Sequence, residues 1–172
     1  MAILPIITAP DPRLKIRSEP VEQFDDELRA FMDDMLATMY DAPGVGLSAI
    51  QVGVAKRAMV VDCAEDGAAA EPLYLVNPEI VESSEDLRSY EEGCLSLPEQ
   101  YAEVERPAVI RVRYRDQFGA EQELQAEGLL STCIQHEMDH FDGVLFVDHI
   151  SALKRNMILR RLKKAKKLQA TG

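Results

Sequence analysis

The chain has 172 residues, of which 47% are hydrophobic and 28% are charged, and this profile is typical of a globular protein of about one domain. Three prolines interrupt the apolar N-terminal stretch, so the sequence predicts neither a signal peptide nor a membrane span. Three widely spaced cysteines without a secretory signal argue against a disulfide framework, and they favour a reducing cytoplasm.

The net charge of −11 is distributed unevenly along the chain. Residues 154–172 contain eight Lys or Arg and no acidic residue, which leaves positions 1–153 with 11 basic and 30 acidic residues. An acidic body argues against DNA binding, because the phosphate backbone repels it. The basic C-terminal end therefore needs a separate explanation.

The first predicted element is a helix over Asp25–Asp41. Its apolar side chains repeat with the spacing of one buried helix face, an aspartate caps the first turn, and Pro43-Gly44 ends it. Short strands follow, and Val109–Arg115 is the clearest because apolar residues and arginines alternate along it. The other predicted strands are Arg57–Asp62, Leu73–Asn77, Ile80–Ser83 and Glu121–Gln125, with an exposed loop over Ala64–Glu71.

Two more helices are predicted, at Gly128–Phe141 and at Ala152–Leu168, the second capped by Ser151. Strands that lie between one helix and two others indicate the α+β class with antiparallel sheets. We expect residues 1–172 to form a single catalytic domain, in which residues 151–172 are a basic C-terminal helix and tail. The apolar residues expected on one face of that helix are Leu153, Met157, Leu162, Ala165 and Leu168.

The central helix carries the motif H-E-x-x-H at His136, Glu137 and His140. Two histidines four residues apart leave the same face of a helix one turn apart, so they are able to bind one metal ion. The glutamate between them reaches a metal-bound water without binding the metal, which is the position of a catalytic base. The alternative interpretation is two unrelated histidines on an amphipathic helix.

The third ligand is not where the common metalloproteases have it. Phe146 occupies the position of the third metzincin histidine, His149 comes three residues too late, and no glutamate follows Glu137. We therefore expect the third ligand upstream, and Cys94 is the candidate because a glycine and a proline flank its segment as in a turn. A bare cysteine is more often a small buried hydrophobe, which is our interpretation of Cys63 and Cys133.

Three motifs in this order resemble the peptide deformylase family. They are Gly44-Val45-Gly46-Leu47-Ser48-Ala49-Ile50-Gln51, Glu92-Gly93-Cys94-Leu95-Ser96 and Gln135-His136-Glu137-Met138-Asp139-His140. The resemblance extends over nearly the whole chain, from about residue 3 to 165. Ser48 stands where the family commonly has alanine, Tyr101 where many members have arginine, and Thr132 where an aliphatic residue is common.

The resemblance implies a hydrolase that removes the N-formyl group from the initiator methionine of new polypeptides and releases formate. Cys94, His136 and His140 would bind one divalent metal ion, and Glu137 would act as the base. The side-chain amide of Gln51 and the backbone N–H of Leu95 would stabilise the oxyanion. Read alone, Gln51 would be an ordinary surface glutamine. The implied substrate-binding residues are Gly46, through its backbone, and Val45, Leu129 and Cys133, which line the methionine pocket.

The resemblance also implies Fe²⁺ in the cell, with Zn²⁺, Ni²⁺ or Co²⁺ possible in purified protein. Imidazole and thiolate ligands suit both iron and zinc, so the ligand set does not separate these metals. The basic C-terminal helix would dock on the ribosome, although a solvated helix with favourable dipole interactions accounts for it equally well. Two other functions stay open: another metal-dependent amidase or peptidase, and a catalytically silent ribosome-associated relative.

Overall fold

The computed structural model describes residues 2–65 and 67–171, and these form three α-helices and seven β-strands. In chain order the elements are α1 (Asp26–Asp41), β1 (Gly46–Ser48), β2 (Ala58–Val61), β3 (Leu73–Ser83), β4 (Leu87–Cys94), β5 (Leu97–Pro107), β6 (Val109–Arg115), β7 (Glu121–Glu127), α2 (Gly128–Phe141) and α3 (Ala152–Thr171). Among these helices none is long and apolar enough to cross a bilayer.

The strands form two antiparallel sheets. Five of them lie in the order β1-β2-β3-β6-β7, and β4 and β5 form a separate two-stranded hairpin. The predicted α+β class with antiparallel sheets around the H-E-x-x-H helix is therefore confirmed. Because β1 is an edge strand of its sheet, one side of its backbone is not paired within that sheet.

The structure corrects the strand prediction at three places. The two strands predicted at 73–77 and 80–83 are one strand, β3, whose register shifts between Val76 and Glu79. Asn77 lies in the bulge with a φ of 51°, a conformation that asparagine tolerates better than most residues. Strand β1 and the β4–β5 hairpin were not predicted, because neither shows a continuous apolar alternation.

The helices match their predicted boundaries closely. Asp25 caps α1 by accepting a 2.9 Å hydrogen bond from the Leu28 N–H, and the helix buries three methionines against the sheet. Helix α3 begins at the predicted residue after Ser151, whose hydroxyl accepts from the Lys154 N–H. It continues three residues beyond the predicted end at Leu168.

The prediction of the apolar face of α3 is wrong for most residues, because of the five residues predicted only Leu162 is buried. Among residues 152–170 only Ile158 and Leu162 are buried, whereas Leu153 is 70% exposed and Leu168 is 62% exposed. The helix packs against β5 and the turn at Phe146–His149, so its contact with the body is a narrow line. Residues one turn apart occupy that line, and the other apolar side chains lie outside it.

Helix α2 lies between the five-stranded sheet and the hairpin, and it contacts both. Ile134 and Phe141 pack into the apolar cluster on the sheet, together with residues of β2, β6 and β7. Nine of the fourteen α2 residues are buried, and both histidines of the motif are among them. This central position brings the helix against the ends of β1 and β4.

Candidate metal centre

Three potential ligand side chains meet where α2 faces the end of β4. The ligand atoms of Cys94, His136 and His140 all lie within 4.8 Å of one another, with the Cys94 Sγ 3.5 Å from the His140 Nε2. One thiol and two imidazoles are a donor set that suits iron or zinc. Three protein ligands leave a coordination position for water or substrate, so the residues present fit a catalytic metal ion.

His136 is oriented by a hydrogen bond to the buried carboxylate of Glu92. Its Nδ1 lies 2.9 Å from the Oε1 of Glu92, and because a carboxylate only accepts, Nδ1 carries the proton. The lone pair of the imidazole is therefore on Nε2, on the side of the ring opposite this hydrogen bond. Such a carboxylate–histidine pair fixes the ring and strengthens it as a metal ligand.

Arg106 neutralises the same glutamate. Its guanidinium donates to both carboxylate oxygens of Glu92, at 2.7 and 3.0 Å, and to the Oδ2 of Asp139 at 2.8 Å. Burial raises the pKa of Glu92, but hydrogen bonds from His136 and Arg106 outweigh it and hold that pKa below its usual range. His149 donates to Asp139 at 2.8 Å and lies outside the ligand cluster.

His140 is held differently. Its side chain is 1% exposed, and its Nδ1 is one of two buried side-chain polar atoms in the described ranges without a hydrogen-bond partner. Packing therefore fixes this ring. His136, by contrast, is fixed by a charge-assisted hydrogen bond, and the two histidines of the motif have different support.

Glu137 lies beside the cluster with its carboxylate almost fully buried. Its Oε1 is 3.2 Å from the hydroxyl of Ser48 and 3.9 Å from the Nε2 of His140. Burial raises the pKa of Glu137 above its usual range. A carboxylate with a raised pKa is better suited to accept and return a proton near neutral pH.

Gln51 is buried, so the interpretation of this residue alone as a surface glutamine is wrong. It lies in a short 3₁₀ helix, Ala49–Val52, directly after β1, and its side chain is 1% exposed. Its Oε1 accepts from the Ser48 N–H at 2.9 Å, and its Nε2 donates to Ser96 at 3.0 Å and faces the Cys94 Sγ at 3.6 Å. These bonds direct the amide N–H₂ group towards the ligand cluster.

A cavity of about 690 Å³ opens beside the cluster. Its walls include all the residues that the sequence assigned to substrate binding, namely Val45, Gly46, Leu129 and Cys133. The same cavity is lined by five of the other predicted site residues: Gln51, Cys94, Leu95, His136 and Glu137. Tyr101 and Thr132, two of the three residues that differ from the common family residue, also line it. Leu95 lies in the tight turn between β4 and β5, whose paired ends are Cys94 and Leu97.

Several residues around the cluster were not identified from the sequence. Glu92 belongs to one of the three motifs, but nothing in the sequence shows that Arg106, fourteen positions later, would neutralise it. Asp139 had no assigned role, and neither had the hydroxyls of Ser48 and Ser96. Buried charges that are paired across a hairpin leave no periodic signal, so only the motif around Glu92 could have drawn attention to it.

The comparisons with known proteins agree on one family. The family model described as polypeptide deformylase matches residues 3–156. A peptide deformylase of Rhizobium meliloti (strain 1021) is 58% identical over 167 residues, covering 97% of this chain and 96% of the relative. A peptide deformylase of Mesorhizobium japonicum (strain LMG 29417 / CECT 9101 / MAFF 303099) is 56% identical over 172 residues, covering 100% of this chain and 98% of the relative.

Solved structures agree with these relatives. A peptide deformylase from Legionella pneumophila superposes with a TM-score of 0.91 at 48% identity and covers 99% of both chains. The enzyme from Ehrlichia chaffeensis in complex with actinonin superposes with a TM-score of 0.92 at 40% identity, covering 96% of this chain and 98% of that one.

Proposed function

The chain belongs to the polypeptide deformylase family, and we propose that Cys94, His136 and His140 hold the metal ion on which its reaction depends. The reaction is hydrolysis of the N-formyl group from the N-terminal formyl-methionine of newly synthesised polypeptides, with release of formate. The observation that carries the proposal is the meeting of Cys94, His136 and His140 in one cluster, next to a cavity that Gln51 and Glu137 line.

We assign Fe²⁺ as the ion in the cell, with Zn²⁺, Ni²⁺ or Co²⁺ able to replace it in purified protein. All four suit imidazole and thiolate ligands. A divalent ion at this site would activate water for attack and polarise the formyl carbonyl.

Glu137 is the proposed general base and acid. Its buried carboxylate takes the proton of the attacking water and then delivers it to the departing amine. The raised pKa of Glu137 favours both transfers near neutral pH. Gln51 Nε2 and the backbone N–H of Leu95 are the proposed donors to the developing oxyanion, and losing one such donor typically costs about 10²–10³ in rate.

The proposed substrate site uses the cavity walls next to β1. As an edge strand, β1 is able to pair with an extended peptide, and Gly46 would offer its backbone groups to the substrate. Val45, Leu129 and Cys133 line an apolar pocket, which suits an unbranched, polarisable methionine side chain.

A formyl group is small, so we expect acetyl-methionyl peptides to be much poorer substrates than formyl-methionyl peptides. Comparable turnover of both would contradict this steric account.

The test is formate release from a formyl-Met peptide by protein loaded anaerobically with Fe²⁺, beside Glu137→Ala. General acid–base catalysis contributes about 10²–10⁴ in rate, so the variant should lose that factor while keeping its metal. Glu105→Ala, at an exposed position, is the matched control and should keep full activity. No formate from the wild type would favour a silent relative, turnover of unformylated peptides would favour a peptidase, and an active Glu137→Ala would contradict the mechanism.

We further propose that α3 docks on the ribosome and that the protein acts in the cytoplasm as one catalytic domain of residues 1–172. Arg160, Lys163 and Lys164 are exposed on α3, where they are able to meet the phosphates of ribosomal RNA. Deleting the whole helix would also remove Ile158 and Leu162 from the core, so changing these three residues to Gln is the cleaner test. Ribosome co-sedimentation should weaken most at low salt, and the difference from the wild type should shrink as the salt concentration rises, while peptide activity stays unchanged. Unchanged co-sedimentation would contradict docking.

A further inference from the structure

We propose that Ser48 is a positioning residue that holds the Glu137 carboxylate in one orientation; this rests on the proposed role of Glu137 as base. Ser48 is the last residue of β1, and its side chain is fully buried. Its hydroxyl lies 2.8 Å from the main-chain carbonyl oxygen of Glu137 and 3.2 Å from the Oε1 of the same residue. One hydroxyl proton is thus shared between the backbone and the side chain of the base.

The two carboxylate oxygens of Glu137 have different surroundings. Oε1 faces the Ser48 hydroxyl, whereas Oε2 lies towards Gly46, where an added Cβ would come within 2.7 Å of it. Both Gly46 and Glu137 line the cavity. Ser48 therefore anchors Oε1, which is also the oxygen 3.9 Å from the His140 Nε2, while Oε2 packs beside Gly46.

The physical need for such an anchor comes from the length of the side chain. A glutamate has three rotatable side-chain bonds, and burial leaves its carboxylate in whichever rotamer the neighbours permit. A donor that bridges the main chain and the carboxylate of one residue fixes these rotations relative to the helix. A misplacement of about 1 Å at a reacting group is enough to cost on the order of 100-fold in rate.

The expected effect is moderate, because the resemblance places alanine at this position in many family members. We therefore expect the Ser48 hydroxyl to increase the rate of the reaction without being essential to it. A shared hydrogen bond to a charged group lies at the low end of the usual range for such bonds, which corresponds to a change of about tenfold.

The first experiment compares Ser48→Ala with Ser18→Ala, which removes a buried hydroxyl that has no partner within residues 2–65 and 67–171. Ser48→Ala should lower kcat for a formyl-Met peptide by about tenfold, with KM within about twofold and the metal content unchanged. Ser18→Ala should leave both constants unchanged. An unchanged kcat in Ser48→Ala, or a loss explained by lost metal, would overturn the proposal.

A second experiment does not depend on activity. Ser48→Ala, Glu137→Ala and the double variant form a cycle in the urea unfolding of metal-free protein. The two changes should be non-additive by about fivefold in the unfolding equilibrium constant, because the side-chain hydrogen bond is lost only once. Additive effects would overturn the positioning role. Activity that survives Glu137→Ala would instead contradict the proposed function, so the two failures are distinguishable.

Discussion

Helices α2 and α3 differ in where their polar residues lie: those of α2 are largely buried and those of α3 are largely exposed. Helix α2 buries Ser131, Thr132, Gln135, His136, Glu137 and His140, whereas residues 152–170 of the longer helix α3 include only two buried residues, both apolar. The buried polar groups of α2 are mostly hydrogen-bonded: Gln135 donates to the Pro107 carbonyl at 3.0 Å, for example. Burying a polar group without a partner is costly, so each such bond fixes α2 relative to its surroundings.

Seven of the eight charged side chains of α3 are exposed. Arg155 donates to Asp148 at 2.7 Å and Lys166 donates to the Thr8 carbonyl at 2.9 Å, but these bonds are at the surface. Buried hydrogen-bonded groups thus fix the orientation of α2, whereas the charged groups of α3 lie at the protein surface. We therefore expect substitutions among the buried polar groups around α2 to cost more than substitutions on α3.

The largest effect is expected at Glu92. Glu92→Gln leaves Arg106 with an incompletely compensated buried charge, and breaking a buried ion pair typically costs about 3–5 kcal/mol. Losing the carboxylate that orients His136, a proposed metal ligand, should also weaken metal affinity by about 10–100-fold. Chemical unfolding and metal titration measure the two losses. Glu91→Gln, the exposed neighbour, is the control, and equal effects of both variants would contradict the importance of burial.

A smaller loss is expected where α3 contacts the body. Ile158→Ala should cost about 2–3 kcal/mol of unfolding free energy, because it removes buried methyl groups from the cluster that joins α3 to β5. Leu153→Ala, at a 70% exposed side chain on the same helix, should change it by less than about 0.5 kcal/mol. If the two variants unfold alike, the narrow contact line assigned to α3 is wrong.

Gly46→Ala tests the close approach of β1 to the proposed base. The added Cβ would lie 2.7 Å from the Glu137 Oε2 and 2.8 Å from the Cys133 Sγ, so the carboxylate must move. We expect kcat/KM to fall by about 100-fold, which corresponds to about 2.7 kcal/mol. Gly44→Ala should lose less, because its Cβ would meet only the end of the Leu95 side chain. A larger loss in Gly44→Ala would contradict this reasoning.

The smallest effect is expected at Asp148, whose carboxylate makes the free energy of unfolding depend on pH. Burial raises the pKa of Asp148, but hydrogen bonds from the Leu145 N–H, Arg155 and Lys15 outweigh it and hold that pKa below its usual range. A carboxylate with a lowered folded-state pKa stabilises the protein above its unfolded-state pKa, and this contribution is lost as the pH falls through the folded-state value.

The corresponding variant is Asp148→Asn. It should be less stable than the wild type by about 1 kcal/mol at pH 6, and the difference should shrink as the pH falls below about 4 and the wild-type carboxylate is protonated. Thermal unfolding across this range measures it, with the exposed Asp86→Asn as control. A constant difference at all pH values would show that the carboxylate charge is not responsible.

The helices and the ligand-bearing motif were predictable because their signals are local. The cap at Asp25, the repeat of methionines in α1 and the four-residue spacing of the histidines all act within one or two turns. The hairpin β4–β5 was not predictable in the same way. Its strands carry Glu92 and Arg106 at buried positions, where a sequence pattern would place apolar residues.

The residues of the candidate site show the same difference between local signals and long-range contacts. The metal-ligand candidates and Gln51 followed from motifs, and the structure brings the three candidates into one cluster with the Gln51 amide facing it. The ion pair behind His136 and the hydroxyl beside Glu137 did not follow, because each joins residues distant in sequence. Partners selected by three-dimensional packing leave no mark at fixed spacing, so a single sequence does not identify them.

The residues of the proposed metal site are far apart in sequence, so the site is present only in the folded protein. Gln51 and Cys94 are 43 positions apart, Cys94 and His140 are 46 apart, and Ser48 and Glu137 are 89 apart. An unfolded chain must close loops of these lengths before the ligands meet, so it offers the ion no assembled site. An ion that binds only the folded chain stabilises it by about 4 kcal/mol at a thousandfold excess over its dissociation constant. Resistance to proteolysis in the cell should therefore rise and fall with the supply of metal.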